Sequence, residues 1–220
     1  MPLARVLEPE VMDTPEEARE YDAMDHSTVN RLFVADLLAT GPVAGEVLDV
    51  GTGTALIPVE LCKQAPDCKV VATDLSTYML DLARYNVVVG DCEWRILLCH
   101  VDAKGLPFED GRFQVVMSNS IIHHIPEPAS ALAESVRVCA SGGRLFFRDL
   151  ARPDDKVTLQ KLVDTYAAGE SEFARKMFAE SLHAALTLEE VQALVGELGF
   201  AAATVQMTSD RHWTWSAVKP

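Results

Sequence analysis

The residues best suited to chemistry in this 220-residue chain lie in a glycine turn and in two acids that follow it. Residues 47–55 read V-L-D-V-G-T-G-T-A, a short apolar strand, a turn with two glycines and the beginning of a helix. Glycine permits positive φ and lets a ligand approach the backbone, and a helix N-terminus offers free N–H groups. Asp74 closes the next apolar segment at the distance from Gly53 where an acid meets a ribose hydroxyl. These features predict a nucleoside-type ligand.

The second of these acids and a missing glycine indicate which nucleotide-type ligand is favoured. Asp102 follows a further predicted strand, where its carboxylate can accept a hydrogen bond from an exocyclic amine such as that of adenine. The dinucleotide fingerprint G-x-G-x-x-G needs a third glycine at position 56, and this position is Leu56. No G-K-[ST] follows the turn, so a P-loop is excluded. A nucleoside without a diphosphate is therefore favoured over NAD.

The elements that must position these acids alternate along the chain. Predicted strands and amphipathic helices follow one another, which is typical of crossover units in a parallel sheet. Two helices precede this region, two amphipathic helical stretches interrupt it at 153–186, and a capping box at Thr187 begins the last helix before a hairpin. The predicted strands are Glu46–Val50, Lys69–Thr73, Arg95–His100, Phe113–Met117, Arg144–Phe147, Ala203–Met207 and Trp213–Val218.

The composition indicates an enzyme-sized α/β chain and disfavours a polyanionic partner. Apolar residues make up 49% of the sequence, and its formal net charge is −14. Repulsion disfavours binding to nucleic acid through phosphates. No stretch approaches the roughly 18 apolar residues of a membrane span, and an acidic N-terminus without an apolar region predicts a cytoplasmic location. The five cysteines show no C-x-x-C pairing, and no metal site is expected.

The order of these motifs resembles the class I S-adenosylmethionine-dependent methyltransferases, particularly the small-molecule enzymes of quinone biosynthesis. The resemblance covers roughly residues 45–150, with Ala55 where the family commonly has a third glycine. It rests on V-L-D-V-G-T-G-T (47–54), V-V-A-T-D-L-S (70–76), V-D-A-K-G-L-P-F-E-D-G-R-F-Q-V-V (101–116), S-N-S-I-I-H-H-I-P-E-P (118–128) and S-G-G-R-L-F-F-R-D-L (141–150).

The resemblance implies a Rossmann-like, doubly wound sheet of seven strands, mostly parallel with the last antiparallel. It also implies roles for ten residues in holding S-adenosylmethionine. Asp74 would bind the ribose and Asn119 would sit beside the sulfonium. The methionine end would lie against Asp49, Gly51, Thr52 and Gly53, and the adenine against Leu75, Met79, Asp102 and Ala103. Two simpler interpretations stay open: that Asp49 only caps the turn, and that Met79 only fills the core.

Acceptor-side residues are expected at the carboxyl ends of the strands, where open α/β sheets bind ligands. His123 or His124 would act as general base if the acceptor holds a proton, with Asp149 beside them; we favour His124. A histidine held only by backbone hydrogen bonds is the alternative. Substrate-binding candidates are Tyr21, His26, Arg148, Arg211 and His212, although Arg148 and Arg211 stand beside acids, and ordinary salt bridges are the alternative for them.

The sequence thus predicts one domain over 1–220 that transfers a methyl group from S-adenosylmethionine to a small molecule. Within it we expect a helical lid at 1–40, a cofactor core at 45–150, a helical insertion at 151–186, and a last helix with a hairpin at 187–220. The alternatives are a non-catalytic S-adenosylmethionine-binding protein and a nicotinamide oxidoreductase. The acceptor and the oligomeric state are not encoded in any pattern that we recognise.

Overall fold

The computed structural model of the protein describes residues 3–9, 14–22 and 26–220. These residues form two compact units. The larger unit comprises 14–22, 26–119, 129–147 and 216–220, and the smaller unit comprises 3–9, 120–128 and 148–215. The single domain predicted from the sequence stays a prediction.

Seven strands form one mixed sheet in the order β3-β2-β1-β4-β5-β7-β6. β1 pairs in parallel with β2 and β4, β2 pairs in parallel with β3, and β6 pairs antiparallel with β7. The Rossmann-like sheet with its antiparallel last strand is thereby confirmed. The strands are β1 (Gly45–Val50), β2 (Cys68–Asp74), β3 (Ile96–His100), β4 (Phe113–Asn119), β5 (Cys139–Leu150), β6 (Val205–Met207) and β7 (His212–Val218).

The larger unit builds its core from the apolar residues of β1, β2 and β4 and the inward faces of its helices. Val47, Ala72 and Met117 are almost fully buried, as expected for central strands of a parallel sheet. Phe33 of α2 meets Phe146 of β5 edge to face, with ring centroids 5.1 Å apart. The helices of this unit are α1 (Pro15–Asp22), α2 (Ser27–Ala39), α3 (Leu56–Gln64), α4 (Thr77–Val89) and α5 (Pro128–Val138).

The smaller unit contains the predicted helical insertion and the predicted last helix. The insertion forms α6 (Lys156–Tyr166) and α7 (Glu172–Ala184), which pack around Leu150, Leu162 and Leu182. α8 (Leu188–Glu197) begins with the complete capping box of Thr187 and Glu190. A 3₁₀ turn (Ile122–His124) follows β4. None of the described helices is long and apolar enough to cross a membrane.

β6 is shorter than predicted, since Ala202–Thr204 form a 3₁₀ turn, and β5 differs most from its predicted bounds. β5 begins at Cys139, whereas the sequence suggests a strand only over Arg144–Phe147 because glycines at 142 and 143 resemble a turn. The Gly142 N–H donates to the Lys219 carbonyl at 2.8 Å, and the Lys219 N–H donates to the Gly143 carbonyl at 2.8 Å. A Cβ at Gly143 would lie 2.8 Å from the Ala140 carbonyl oxygen. Glycine is thus required by close packing within an extended strand.

Candidate functional site

The glycine turn after β1 has the positive φ angles that its sequence predicts. Gly51 and Gly53 adopt φ of 71° and 55°, in the left-handed region that glycine occupies freely. Ala55, the last residue before α3, has φ of 60° and ψ of 23° and is fully buried. The turn is held by the Thr52 N–H, which donates to the Thr73 carbonyl at 2.8 Å. The backbone is therefore fixed in a shape that a ligand can approach closely.

Asp74 ends β2 with its carboxylate against this turn. One carboxylate oxygen accepts from the Gly53 N–H at 2.8 Å, and the other accepts from the Ser76 N–H at 2.8 Å. Burial raises the pKa of Asp74, although these backbone hydrogen bonds oppose the rise. The two features from which the sequence argument began, the glycine turn and the acid that closes the next strand, are thus in direct contact.

Asp49 is the second acid at this turn, and its side chain is almost completely buried. Desolvation raises its pKa to about 7; the nearby Asp74 carboxylate adds to the rise, and the Thr52 side chain opposes it. No basic side chain of the described structure contributes to this balance. A buried carboxylate and a half-buried one that repel each other favour a bound cation, since a positive charge would relieve both the repulsion and the desolvation.

Asp102 lies just beyond β3, less buried than the other two acids. Its carboxylate accepts from the Lys104 N–H at 2.9 Å and pairs with the Lys104 ammonium at 3.0 Å. Burial alone would raise its pKa, but these contacts with Lys104 outweigh burial and lower it. Asp102 is therefore ionised at neutral pH and able to accept a further hydrogen bond.

The remaining cofactor candidates differ in exposure. Met79 is 5% exposed, and its backbone N–H donates to the Ser76 hydroxyl that caps α4. Leu75, Ala103 and Asn119 are half-buried. Asn119 is the last residue of β4. Their predicted contacts with a cofactor, like those of Asp49, Gly51, Thr52, Gly53, Asp74 and Asp102, stay predictions.

In the smaller unit, a buried histidine and aspartate form a tight pair. His123 Nδ1 lies 2.5 Å from Asp149 Oδ1, and both side chains are at most 4% exposed. The Asp149 carboxylate also accepts from the N–H groups of Ile122, His123 and Leu150, at 2.6 to 3.1 Å. Burial by itself would raise the pKa of Asp149, but His123 and these N–H donors lower it. Asp149 therefore fixes the orientation of the His123 ring.

His124 lies beside His123, with ring centroids 4.2 Å apart. Burial lowers the pKa of His124 to about 3, and the neighbouring His123 adds to the decrease. His124 is therefore neutral at physiological pH and a weak base. The catalytic roles predicted for His123, His124 and Asp149 stay predictions.

Sequence reasoning missed Glu8 and Arg5, which reach the histidines from the N-terminal segment. Glu8 Oε1 lies 3.3 Å from His123 Nε2 and 3.2 Å from His124 Nδ1. The Arg5 guanidinium donates to the backbone carbonyls of Ala184, Pro126, His123 and Ile125, at 2.6 to 3.1 Å. All of these partners are far from residues 5 and 8 along the chain. No local pattern signals such contacts.

The predicted substrate-binding residues have other partners in the structure. Arg148 donates to the Thr214 hydroxyl at 2.9 Å, and His212 Nδ1 lies 2.9 Å from the Ser209 hydroxyl. Arg211 stacks 3.4 Å above the Tyr166 ring and pairs with Asp210 at 3.2 Å, an ordinary salt bridge. His26 precedes α2, and its carbonyl accepts from the Asn30 N–H. Tyr21 belongs to α1, but its side chain lies outside the described part of the structure.

The region that contains the glycine turn and its acids is similar to known methyltransferases. Residues 48–147 match the family described as "Methyltransferase domain". A demethylmenaquinone methyltransferase of Clavibacter sepedonicus is 36% identical over 121 residues, 54% of this chain and 47% of that protein. The ubiquinone/menaquinone biosynthesis C-methyltransferase UbiE of Desulfotalea psychrophila is 33% identical over 115 residues, 52% of this chain and 45% of that protein.

A solved structure supports the fold over a longer range. The S-adenosylmethionine-dependent methyltransferase of Aquifex aeolicus superposes with a TM-score of 0.66 at 17% identity, over 93% of this chain and 97% of that chain. This chain spans about half the length of the two curated relatives. Residues 48–147 are thus similar to a family of methyltransferase domains, and the fold of the chain agrees with that similarity.

Proposed function

We propose that this protein transfers the methyl group of S-adenosylmethionine to a small-molecule acceptor. The observation that carries the proposal is the pair of neighbouring carboxylates at the glycine turn, the buried Asp49 and the half-buried Asp74. S-adenosylmethionine is cationic at both its sulfonium and its ammonium group, so its charge complements this pair. The cofactor fits the donor set better than an anionic dinucleotide would, since a diphosphate would add charge of the same sign as the two carboxylates.

The residues of the larger unit have distinct roles in this proposal. Asp49, with Gly51, Thr52 and Gly53, holds the methionine end, and Asp74 holds the ribose hydroxyls. Asp102 accepts from the adenine amine. Leu75, Met79 and Ala103 line the ring, and Asn119 sits beside the sulfonium. When bound, the cofactor supplies an electrophilic methyl group; the protein's task is to position an acceptor for in-line attack and to exclude water.

The acceptor side of the proposal keeps the residues that the sequence predicts. Arg148, Arg211, His212, Tyr21 and His26 are proposed to contact the acceptor, and a histidine base serves acceptors that carry a proton. Measurement of methyl transfer by His124→Ala tests the base role, because unchanged turnover would reject it. We also propose a cytoplasmic location, no nucleic-acid or membrane partner, and a single catalytic domain over 1–220.

Calorimetric titration with S-adenosylmethionine and, in parallel, with NAD(H) tests the cofactor assignment. We expect one S-adenosylmethionine per chain and no NAD(H) binding; the reverse result would exclude the proposal. Asp49→Asn should weaken S-adenosylmethionine binding by about 100-fold, since it removes a buried charge-assisted contact. Asp67→Asn, which changes an exposed aspartate of the same unit, is the matched control and should bind normally.

A screen of metabolite classes for S-adenosylhomocysteine formation tests catalysis. Demethylmenaquinone belongs in the screen because it is the acceptor in the names of relatives. We expect turnover with at least one acceptor class and clearly reduced turnover with Asp49→Asn at cofactor concentrations that just saturate the wild type. Cofactor binding without turnover on any class would favour the alternative, a non-catalytic binding protein.

A further inference from the structure

A second cluster of ligating side chains lies outside the cofactor residues. Glu8, His123 and His124 each offer one nitrogen or oxygen as a ligand atom, and these three atoms lie within 4.8 Å of one another. From this geometry we propose that the three side chains bind one Zn²⁺ ion. The proposal goes beyond methyl transfer, since none of the three residues is proposed to hold the cofactor. If it is correct, His124 is a zinc ligand and not the general base.

Two of the three distances between the ligand atoms match a tetrahedral zinc site. Zinc binds imidazole nitrogen and carboxylate oxygen at about 2.0–2.1 Å, so two ligands of a tetrahedron lie about 3.3–3.4 Å apart. Glu8 Oε1 lies 3.3 Å from His123 Nε2 and 3.2 Å from His124 Nδ1. Three protein ligands leave a fourth position for water, as in zinc sites of the open type.

Two buried atoms of the cluster make no hydrogen bond. Glu8 Oε1 and His124 Nδ1 are both inaccessible to solvent and have no hydrogen-bond partner within the described structure. His124 bonds to the Pro9 backbone, and since Nδ1 is unpartnered this bond falls to Nε2, whose N–H donates to the carbonyl. Nδ1 then presents a lone pair to a carboxylate oxygen 3.2 Å away. Two electron-rich atoms facing each other at this distance favour a cation between them.

Neighbouring groups orient the proposed ligands by hydrogen bonds, as in known zinc sites. A ligating histidine usually donates its second ring N–H to a carboxylate or carbonyl, which fixes its tautomer and orientation. Asp149 occupies that place for His123, at 2.5 Å from Nδ1. The second Glu8 oxygen is held by the Ser181 hydroxyl at 3.2 Å. Asp149 and Ser181 therefore orient two of the three proposed ligands.

The sequence gives no sign of this site. Zinc motifs are recognised by cysteine pairs or by histidines at helical spacing, whereas here the histidines are adjacent and the carboxylate comes from residue 8. Adjacent histidines can bind the same ion because they lie in the 3₁₀ turn over Ile122–His124. Their ring centroids are 4.2 Å apart, with the ring planes tilted by 34°. The proposed ion would tie the N-terminal segment to this turn.

Zinc binding to the full-length protein, freed of metal by dialysis against a chelator, tests the proposal. Titration of Zn²⁺ against a chromophoric competitor should show one tight site per chain. Glu8→Gln and His124→Ala should each weaken it by about 100-fold or more, beyond the roughly 10–100-fold loss typical of outer-shell partners. Glu180→Gln, which removes an exposed carboxylate on α7, is the matched control and should bind zinc normally. No tight site in the wild type, or equal affinity in Glu8→Gln and Glu180→Gln, would overturn the proposal.

Co²⁺ substitution gives a readout that depends on geometry. The wild type should show the intense visible bands of four-coordinate Co²⁺, and Glu8→Gln should lose them; a six-coordinate spectrum in the wild type would contradict the tetrahedral site. Circular dichroism and S-adenosylmethionine titration establish that each variant is folded. Since zinc binding and S-adenosylhomocysteine formation are measured separately, failure of one proposal leaves the other standing.

Discussion

Asp49 at the end of β1 and Asp149 at the end of β5 show how partners decide the state of a buried acid. The two side chains have the same chemistry and are both almost fully buried, with residue exposures of 2% and 0%. Burial raises the pKa of Asp49 to about 7, whereas the pKa of Asp149 is lowered. Burial alone therefore does not determine whether an aspartate is charged.

The difference lies in what surrounds each carboxylate. Asp149 accepts hydrogen bonds from His123 and from three backbone N–H groups, so its charge is fully compensated by the protein. Asp49 faces another carboxylate, Asp74, and no cation within the described part of the chain. An acid whose charge is already compensated has a positioning role, whereas one that still lacks a cation is suited to bind a cationic ligand. The comparison separates the cofactor site from the histidine cluster on physical grounds.

The largest effect should come from removing the compensated charge. Asp149→Asn takes one partner from a buried ion pair and leaves His123 without its carboxylate, which typically costs about 3–5 kcal/mol of folding free energy. Urea denaturation should show a much lower midpoint. Asp81→Asn, at an exposed aspartate that pairs with Arg84 on α4, should change stability by less than about 0.5 kcal/mol. Equal stability of the two variants would mean that the pair contributes little.

A smaller effect on folding stability is expected at Asp49, where ionisation of the buried carboxyl group destabilises the folded protein. Its pKa is about 7 in the folded protein and 3.8 ordinarily, so between these values the folded state holds a proton that the unfolded state has lost. Stability of the cofactor-free protein should therefore fall as pH rises through this window and level off above it. Between pH 5 and 8 the loss should be about 2–3 kcal/mol.

Thermal or urea unfolding of three proteins at several pH values measures this contribution. Asp49→Asn should flatten the fall in stability between pH 5 and 8, because asparagine does not titrate. Asp67→Asn should keep the wild-type slope. If the wild type and Asp49→Asn show parallel pH profiles, Asp49 is ionised with an ordinary pKa, and its contrast with Asp149 disappears.

Much of the cofactor side could be predicted from the sequence because its signals are local. The turn at 51–53 and the acid at Asp74 are read from glycine spacing and strand ends, and the structure joins them by one hydrogen bond from Gly53. The bounds of β5 could not be predicted from the two glycines that suggest a turn. Gly143 is needed for close packing against Ala140, and the backbones of Gly142 and Gly143 pair with Lys219.

The histidine cluster was predictable only in part. Adjacent histidines after a strand mark a candidate site, but which of the two is buried against Asp149 depends on the 3₁₀ turn, which no periodicity reveals. Glu8 and Arg5 are beyond sequence reasoning altogether. Their partners lie across the smaller unit, and the acidic N-terminal segment indicates only a solvated stretch of charge.

The smallest expected change in folding stability concerns Ala55, the last residue before α3. Ala55 and Ala83 are both fully buried alanines of the larger unit, but Ala55 is left-handed with φ of 60° and Ala83 lies inside α4. Ala83→Gly loses helix propensity and a buried methyl group and should destabilise by about 2 kcal/mol. At Ala55 the same change relieves roughly 1 kcal/mol of left-handed strain, which offsets the lost methyl group, so stability should change by less than about 0.5 kcal/mol. Urea unfolding of both variants measures the difference. If both variants lose the same free energy of unfolding, the left-handed backbone at Ala55 is not strained. Alanine instead of glycine at position 55 would then cost the turn no stability.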